Sequence, residues 1–392
     1  MTIALRPAPT APSRIARTAV YANLAEAEQH WRALERSDVL ATAYQRYDVM
    51  ARWQRHIGSR EGVEPFIVVG FDQAGVPLML WPLGRRRSAG LTAAEFLGGK
   101  HMNFNMAIWR RDIAAGMARE AVASVLAEIT GKIDALLLRS QPVACDGIAN
   151  PVTLLHHAPS ASFAYSGALQ PDFEGLLRGR TNSETRKKMR KKERTLASRG
   201  AVRFMRAATA SEARQILTAF LDQKRTRMQA LGQPDAFGDD TVHDFVESLA
   251  VDCDTDGRPL AELYALSVDD AIVATLGGMT RGDCFSGMFT SIGDRFGSES
   301  PGEQLLVHVV RSLCERGYKK FDLGVGEARY KGTFCPDAEP LCDSFIALTP
   351  AGRALVAVAR LRTAAKRIVK SNPALLSMIG AVRRTKRRLI PG

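Results

Sequence analysis

The stretch GSESPGEQLLVHVVRSLCERGYKKFDLGVGEARYKGTFCP, residues 297–336, decides the fold prediction. It contains Ser300-Pro301-Gly302-Glu303, a typical helix start: Ser is a favoured N-cap, Pro is preferred at the first helical position, and an acid suits the first turn. Free N–H groups at the positive end of such a helix can hold a pyrophosphate, and Gly302 would let the phosphates approach. The same spacing also suits a well-capped helix that binds nothing.

Candidate strands flank this helix in an order that occurs twice. CFSGMFTSI precedes it and KKFDLGVG follows it, after a hairpin made of ELYALSV and AIVATLGGM. Earlier in the chain, EPFIVVGF, PLMLWPLG and AAEFLGG are followed by a helical stretch, residues 112–131, and the strand KIDALLLRS. Because the two sets share one order and lie about 190 residues apart, they predict a duplicated α/β unit.

The segment after the helix carries a family resemblance. Residues 317–331, GYKKFDLGVGEARYK, resemble the CelD/BcsL-like family of GNAT acyltransferases, in which an SPG helix start precedes a G-x-x-x-x-D-hydrophobic-G-x-G-x-x-x-Y-K segment. Trp81-Pro82-Leu83 and residues 96–99 are weakly similar to the hairpin and strand of the same family. The common GNAT phosphate loop, Q/R-x-x-G-x-G/A, is reduced here to residues 298–302, where two acids lie close to the expected anion site.

The resemblance implies a fold and a set of site residues. The fold is a mixed-sheet α/β pair of tandem GNAT-like domains with a C-terminal basic helical tail, and only the second domain would bind acyl-CoA (acetyl-CoA or longer). No metal is expected. The implied cofactor-binding residues follow the pantetheine arm and then the pyrophosphate: Gly287, Met288, Phe289, Ser300, Pro301, Gly302, Glu303 and Gln304. Acyl transfer needs a base, an acid and stabilisation of negative charge. The candidates are Asp322 or Glu327 as base, Tyr330 as acid, and Lys331 for the developing charge.

Each of these residues also has a structural interpretation. Asp322 ends a strand and can bond the nearby backbone, and Tyr330 can form a wall of the core. Glu327 and Lys331, four positions apart, can form an exposed ion pair. His308, on the helix after the SPG start, is expected to be a packing residue.

Two segments carry the basicity of the chain, whose net charge is +13. Residues 178–194 hold nine basic and two acidic side chains, and residues 351–392 hold eleven basic and none acidic. The first segment has no aromatic residue to stack on bases and matches no nucleic-acid module, so we expect a charged surface helix, with contact to CoA phosphates or an acidic glycan as the alternative. The second suits either a helix on an anionic inner-membrane surface or one packed on the protein itself.

The organisation expected along the chain has five parts. Residues 1–15 form a disordered leader, 16–165 an N-terminal GNAT-like domain, 166–200 a basic linker helix, 201–349 the acyltransferase domain and 350–392 the basic amphipathic tail. The six cysteines show neither CxxC pairs nor zinc spacing, and the first residues are not a signal peptide. We therefore expect a reduced, cytoplasmic protein, with peripheral contact at the inner membrane as an option.

The function expected from this resemblance is transfer of an acyl group from acyl-CoA to an amine or hydroxyl of a small-molecule or glycan acceptor in envelope or exopolysaccharide (cellulose-like) metabolism. One alternative is a non-catalytic GNAT-fold scaffold of a polysaccharide-synthesis complex. Another is aminoacyl transfer from charged tRNA, as in the related FemAB-type enzymes. The sequence leaves the acceptor, the acyl chain length and the oligomeric state open.

Overall fold

A computed structural model describes residues 15–326 and 329–371. Ten strands precede residue 170: β1 Arg17–Tyr21, β2 Val39–Leu40, β3 Glu64–Phe71, β4 Pro77–Ser88, β5 Leu91–Phe96, β6 Ile108–Arg110, β7 Ala135–Pro142, β8 Ala144–Cys145, β9 Ile148–Ala149 and β10 Ala158–Ala168. Six follow: β11 Val202–Arg206, β12 Ala261–Val268, β13 Ala271–Arg281, β14 Cys284–Ile292, β15 Lys320–Val325 and β16 Asp337–Ala347. The helices are α1 Leu24–Glu35, α2 Tyr47–Trp53, α3 Arg111–Ala114, α4 Arg119–Ile129, α5 Phe173–Arg180, α6 Ser183–Ala197, α7 Ala210–Leu231, α8 Asp240–Val251, α9 Pro301–Glu315 and α10 Gly352–Ser371.

One mixed sheet runs through the described part of the chain, and its two halves have the same pattern of strand pairing. Its order is β1-β3-β4-β5-β7-β16-β10-β15-β14-β13-β12-β11. In the first half the neighbours up to β5 are antiparallel and β5 pairs with β7 in parallel; β11 to β15 repeat this pattern. The structure therefore confirms the predicted mixed-sheet α/β fold with two equivalent halves.

The two halves exchange their last strands at the centre of the sheet. β16, from the second half, pairs with β7 of the first, while β10, from the first half, pairs with β15 of the second. β10 and β16 also pair with each other. The boundary predicted at residues 165–166 therefore falls inside β10. The sequence did not suggest this strand, because APSASFAYSGA shows little alternation of apolar and polar residues.

A shared core joins the halves away from the sheet centre. Trp31 and Met50 of α1 and α2 belong to the same buried cluster as Phe220 of α7 and Phe245 of α8. Within the described ranges, the two halves are therefore not separate domains that meet at an interface, because one continuous apolar core includes residues of both.

Several sequence predictions need correction. Residues 17–21, for which no strand is predicted, form edge strand β1 against β3. The helix expected over residues 112–131 is split into α3 and α4. The predicted linker of 166–200 contains two helices, α5 and α6, and α5 buries Phe173. Residues 1–14 and the helix predicted over 375–389 lie outside the described residues.

Candidate active site

Strands β14 and β15 lie side by side only at their beginnings. Cys284, Phe285 and Ser286 pair in parallel with residues 320–322, and no pairing follows. On the other side of β14, Gly287 lies opposite Gly278 and Phe289 opposite Gly277, so Met288 is the extra residue of a β-bulge. The two strands thus separate beyond Ser286 and Asp322, and the predicted pantetheine segment, residues 287–289, borders the gap.

Asp322 lies at the point where the strands separate. Its side chain is buried, Ser286 Oγ donates to Oδ2 at 2.5 Å, and the backbone N–H of Gly324 donates to Oδ1 at 3.1 Å. Burial raises the pKa of Asp322 to about 7, although the hydrogen bond from Ser286 opposes the rise. A carboxyl group with this pKa can take up and release a proton near neutral pH. The backbone bond expected from the structural interpretation is present, and the role of Asp322 as a base stays a prediction.

Two polar side chains of the first half reach the same gap. Asn103 Nδ2 donates to the Gly287 carbonyl at 2.8 Å and to the Tyr44 hydroxyl at 2.9 Å, and that hydroxyl donates to the same carbonyl at 3.3 Å. Gly324 has a φ of +65°, and a Cβ built there would lie 2.1 Å from Asn103 Nδ2. Glycine is therefore required by the backbone conformation and by the close approach of Asn103.

Lys331 is buried beside the same gap but faces the backbone. Its Nζ donates to the carbonyls of Leu323 at 2.8 Å, Gly324 at 3.1 Å and Val325 at 3.4 Å, and burial lowers its pKa. Lys331 thus satisfies three carbonyls where β15 leaves the sheet. This geometry favours positioning of the strand end over the predicted stabilisation of developing charge.

Helix α9 begins as predicted at Pro301, but its cap differs. Ser300 adopts a left-handed conformation, φ +52°, and its side chain makes no capping hydrogen bond; its carbonyl accepts from the N–H groups of Glu303 and Gln304. Gly302 packs against Ile292, whose Cδ1 would lie 2.6 Å from a Cβ at position 302. Gly302 therefore also serves helix-to-strand packing, and a side chain there would disturb more than an anion site.

The basic helix α6 neutralises the acids at this helix start. Lys192 pairs with Glu303 at 2.7 Å, and Arg199, just after α6, pairs with Glu299 at 3.4 Å. Five more basic side chains of α6 lie exposed: Lys187, Lys188, which pairs with Glu184, Arg190, Lys191 and Arg194. Of the predicted phosphate-binding residues, Gln304 is buried and donates to the Glu299 carbonyl at 2.8 Å, so its side chain supports the preceding loop.

The comparisons with known proteins agree with this geometry. A family model described as an acetyltransferase (GNAT) domain matches residues 183–332. Residues 183–332 form a GNAT-fold acetyltransferase domain. No curated protein matches the chain by sequence.

Solved structures resemble nearly the whole chain. FemX has a TM-score of 0.54 at 10% identity, over 83% of this chain and 96% of FemX. A conserved protein of unknown function from Bacteroides thetaiotaomicron has a TM-score of 0.51 at 11% identity, over 83% of this chain and 98% of its own. The C-terminal domain (DUF2156) of a putative lysylphosphatidylglycerol synthetase from Agrobacterium fabrum has a TM-score of 0.50 at 13% identity, over 86% of this chain and 96% of that structure. At such identities the likeness concerns the fold alone.

A cavity of about 440 Å³ leads to Asp322 of the GNAT domain from the side of the first half. It lies between the loop around Thr42 and the hairpin of β13 and β14, with Lys320 and Glu339 on its wall. Lys320 Nζ lies 2.7 Å from a carboxylate oxygen of Glu339, and Glu339 also accepts a hydrogen bond from Ser166 of β10. Strand β16 therefore contributes Glu339 to the wall of this cavity, and Ser166 of β10 holds that side chain.

The first half lacks the polar pair found in the GNAT domain. The third residue after the β4–β5 turn is Ala93, which lies opposite Ala135 of β7, whereas the corresponding residues in the second half are Ser286 and Asp322. Helix α4, in the place of α9, likewise has no side-chain cap. The described residues therefore place a carboxyl group in the last pair before the strands separate in the second half, and the apolar pair of Ala94 and Leu136 in the first.

The remaining predicted residues have different outcomes. Glu327 lies outside the described residues, and so does the side chain of Tyr330, so neither prediction is tested. Phe289 points into the core, with its ring centroid 4.5 Å from that of Phe220, so only its backbone borders the gap. His308 stacks on Phe204 at 5.3 Å, as expected of a packing residue.

Sequence analysis missed three residues of the site. Ser286 was part of the quoted strand CFSGMFTSI, and a serine one strand away from the candidate base was a usable signal. Tyr44 and Asn103 are distant in sequence and lie in irregular or short elements, so no local pattern connects them with Asp322.

Proposed function

We propose that this chain is an acyltransferase that uses acyl-CoA, with Asp322 as the general base. The observation that carries the proposal is a buried carboxyl group with a pKa of about 7 at the separation of two parallel strands, with an open cavity leading to it. A base of this pKa is half ionised at neutral pH and can therefore deprotonate an acceptor.

The chemistry follows from the position of Asp322. Bound acyl-CoA supplies a thioester, whose carbonyl carbon is the electrophile. Asp322 takes a proton from the acceptor nitrogen or oxygen as that atom bonds to the carbon. The C–S bond then breaks, the acyl group stays on the acceptor, and the proton returns to the leaving thiolate. Ser286 holds the Asp322 carboxyl group in place, and Asn103 and Tyr44 hold the β14 backbone.

The proposed cofactor site runs from the bulge at Met288 to the start of α9. The backbone of residues 287–289 would pair with the pantetheine arm, as the family resemblance implies. The helix start at residues 300–304 would receive the pyrophosphate, and exposed α6 cations such as Lys191 and Arg194 would add positive charge. Because Lys192 and Arg199 already balance two acids there, the local charge does not oppose a phosphate.

The test separates binding from chemistry. Acetyl-CoA and longer acyl-CoAs are added to purified protein and the melting temperature is measured; a ligand at 100 times its Kd stabilises the folded state by about 2.7 kcal/mol. We expect a rise in both the wild type and Asp322→Asn, and release of free thiol, in the presence of a panel of amines and sugars, only in the wild type. Asp283→Asn, an exposed carboxylate on the cavity rim, serves as the control. Absence of a melting shift with every acyl-CoA would refute the proposal.

The finer assignment concerns the biological acceptor. The resemblance of residues 317–331 to CelD/BcsL-like proteins supports an envelope or exopolysaccharide acceptor. Acyl content of the polysaccharide should fall in cells that carry Asp322→Asn at normal protein level. An unchanged acyl content in those cells, despite lost thiol release in vitro, would point to another acceptor. An unchanged phenotype with no activity in vitro would favour the scaffold alternative.

Aminoacyl transfer from charged tRNA remains a second candidate, favoured by the FemX-like fold and the exposed cations of α6. Phosphate contacts by Lys and Arg dominate nucleic-acid affinity, so α6 is the segment to test. If charged tRNA is the donor, nuclease treatment removes activity and acetyl-CoA causes no thermal shift. The acyl-CoA proposal predicts the opposite in both measurements.

We further propose that α10 attaches the protein to an anionic membrane surface. One face of α10 buries Val356 and Ala359 against the sheet, so packing on the protein itself is real. The outer face exposes Val358, Leu361 and Ile368, with exposed fractions of 47%, 71% and 60%. Residues 351–392 contain no acidic residue, and basic residues of α10 lie on both sides of its exposed apolar face. No helix in the described ranges is long and apolar enough to span a bilayer.

Vesicle co-sedimentation tests this attachment. Wild type should sediment with vesicles that contain phosphatidylglycerol and not with phosphatidylcholine alone, and Leu361→Ser with Ile368→Ser should abolish sedimentation. Val76→Ser, at an exposed apolar residue far along the chain, is the matched control. Failure of the wild type to sediment, or a concentration-dependent dimer that the same two substitutions dissolve, would overturn the proposal.

A further inference from the structure

A polar cleft of about 1120 Å³ lies between the two halves and opens next to the cavity of Asp322. Its walls are the ends of α1 and β11, the start of α7 and the loop of residues 251–259. The cleft and the cavity share the lining residues Glu35, Arg281 and Gly282. The two spaces are therefore adjacent and share a border.

Arginine dominates the chemistry of the cleft. It is lined by seven arginines, Arg32, Arg36, Arg46, Arg206, Arg258, Arg281 and Arg316, and by five acids, Glu35, Asp48, Asp254, Asp256 and Glu262. The cleft therefore has an excess of positive charge.

Four of the seven guanidinium groups are already engaged. Arg32 pairs with Asp48 at 2.8 Å, Arg46 with Asp254 at 2.7 Å and Arg316 with Glu262 at 2.5 Å, and Arg281 donates to the carbonyls of Ala41 and Val39. These contacts fix the shape of the cleft.

The other three are exposed, and none has a salt bridge within the described ranges. They are Arg36 from the first half and Arg206 and Arg258 from the second. For Arg206 the neighbouring carboxylate, Glu262, is already held by Arg316. Three unpaired guanidinium groups from both halves thus face one polar space, and their planar fork suits phosphate and carboxylate oxygens.

We propose that this cleft binds an oxyanion of the acyl acceptor, a phosphate or carboxylate on an extended polar molecule such as a carbohydrate. The acceptor's amine or hydroxyl then reaches Asp322 past Glu35 and Arg281. The identification of the bound molecule as the acyl acceptor rests on the proposed function. The presence of an oxyanion site in the cleft does not depend on it.

Calorimetric titrations with three probes test the site. Tetragalacturonate carries carboxylates, glucose 1,6-bisphosphate carries phosphates, and cellotetraose is neutral. We expect one or both anionic probes to bind, more weakly as salt increases, and cellotetraose not to bind. The stronger anionic probe identifies the source of the oxyanion. Arg206→Gln with Arg258→Gln should weaken its binding about tenfold or more, since each lost charge-assisted contact contributes.

Arg203→Gln is the matched control, because Arg203 is exposed on the same strand as Arg206 and does not line the cleft. It should bind the anionic probe like the wild type. Equal binding of cellotetraose, no binding of either anionic probe, or an equal loss in Arg203→Gln would overturn the proposal. A separate acetyl-CoA titration keeps the two hypotheses apart: probe binding without acetyl-CoA binding refutes the proposed function alone, and the reverse result refutes the cleft alone.

Discussion

Asn103 donates its side-chain amide to the carbonyl of Gly287 at 2.8 Å and thereby connects the two halves at the point where β14 and β15 separate. Among the described residues, the first half has no counterpart of the polar pair Ser286 and Asp322 where its own strands β5 and β7 separate. It nevertheless supplies the Asn103 contact to the other half. Its contribution to the candidate active site is therefore structural support and one wall of the cavity that leads to Asp322.

The pH dependence of acyl transfer should report Asp322. If Asp322 is the base, kcat/KM rises with pH with a midpoint near 7, because only the carboxylate accepts a proton. The hydrogen bond from Ser286 lowers this pKa, so Ser286→Ala should move the midpoint to higher pH. Ser124→Ala, a helix serine of α4, should leave the profile unchanged. A midpoint that does not respond to Ser286→Ala would contradict the assignment.

The same carboxyl group should affect stability. Its folded-state pKa of about 7 lies above the ordinary 3.8, so between these values the folded protein holds more protons than the unfolded chain. The free energy of unfolding should therefore fall as pH rises from about 4 to about 7, by a few kcal/mol for a fully buried group. Chemical denaturation across this range should show a flatter dependence in Asp322→Asn than in Asp283→Asn.

Two glycines of β15 and the following turn allow the Asn103 contact to be isolated. Gly324→Ala and Gly326→Ala both place a side chain at positive φ, +65° and +103°, but only the first would meet Asn103; no atom of the described residues lies within 4 Å of a Cβ at position 326. We expect Gly326→Ala to cost about 1 kcal/mol and Gly324→Ala clearly more, measured by denaturant unfolding. Adding Asn103→Ala to Gly324→Ala should recover part of the difference. Equal costs for the two glycine substitutions would disprove the close approach.

Lys331 should matter for stability before it matters for chemistry. Lys331→Met removes the ammonium donor from the carbonyls of Leu323, Gly324 and Val325 and should destabilise the protein by about 2–4 kcal/mol. Lys319→Met, at an exposed lysine, should change stability by no more than about 0.5 kcal/mol. If Lys331→Met keeps the stability of the wild type but loses transfer activity, the charge-stabilising role predicted from sequence is correct.

Exchange of β10 and β16 predicts that the halves depend on each other. Residues 15–180 expressed alone would contain β7 and β10 without their partner β16, leaving unpaired strand edges that favour aggregation. Co-expression with residues 181–371 should give a soluble complex in size-exclusion chromatography. A soluble, cooperatively folding first half on its own would argue against the exchange.

Local patterns predicted most of the fold. The sequence predicts helices over residues 24–36, 211–231 and 239–251, and the ends of α1, α7 and α8 lie within a residue of these positions, because capping residues and apolar periodicity act over short distances. β10 and β16 were not predicted, since their pairing depends on contacts between distant parts of the chain. At the site, Asp322 was found through its motif, whereas Tyr44 and Asn103 act through tertiary contacts that leave no sequence pattern.

The central position of β10 and β16 also has a consequence for synthesis. The chain emerges from the ribosome N-terminus first, so β10 is complete long before β16, its neighbour in the sheet, has been translated. Contacts this far apart in sequence are slow to form. The part of the cavity wall that carries Glu339 is therefore among the last parts of the sheet to assemble, and the nascent protein has no complete site until β16 has been translated.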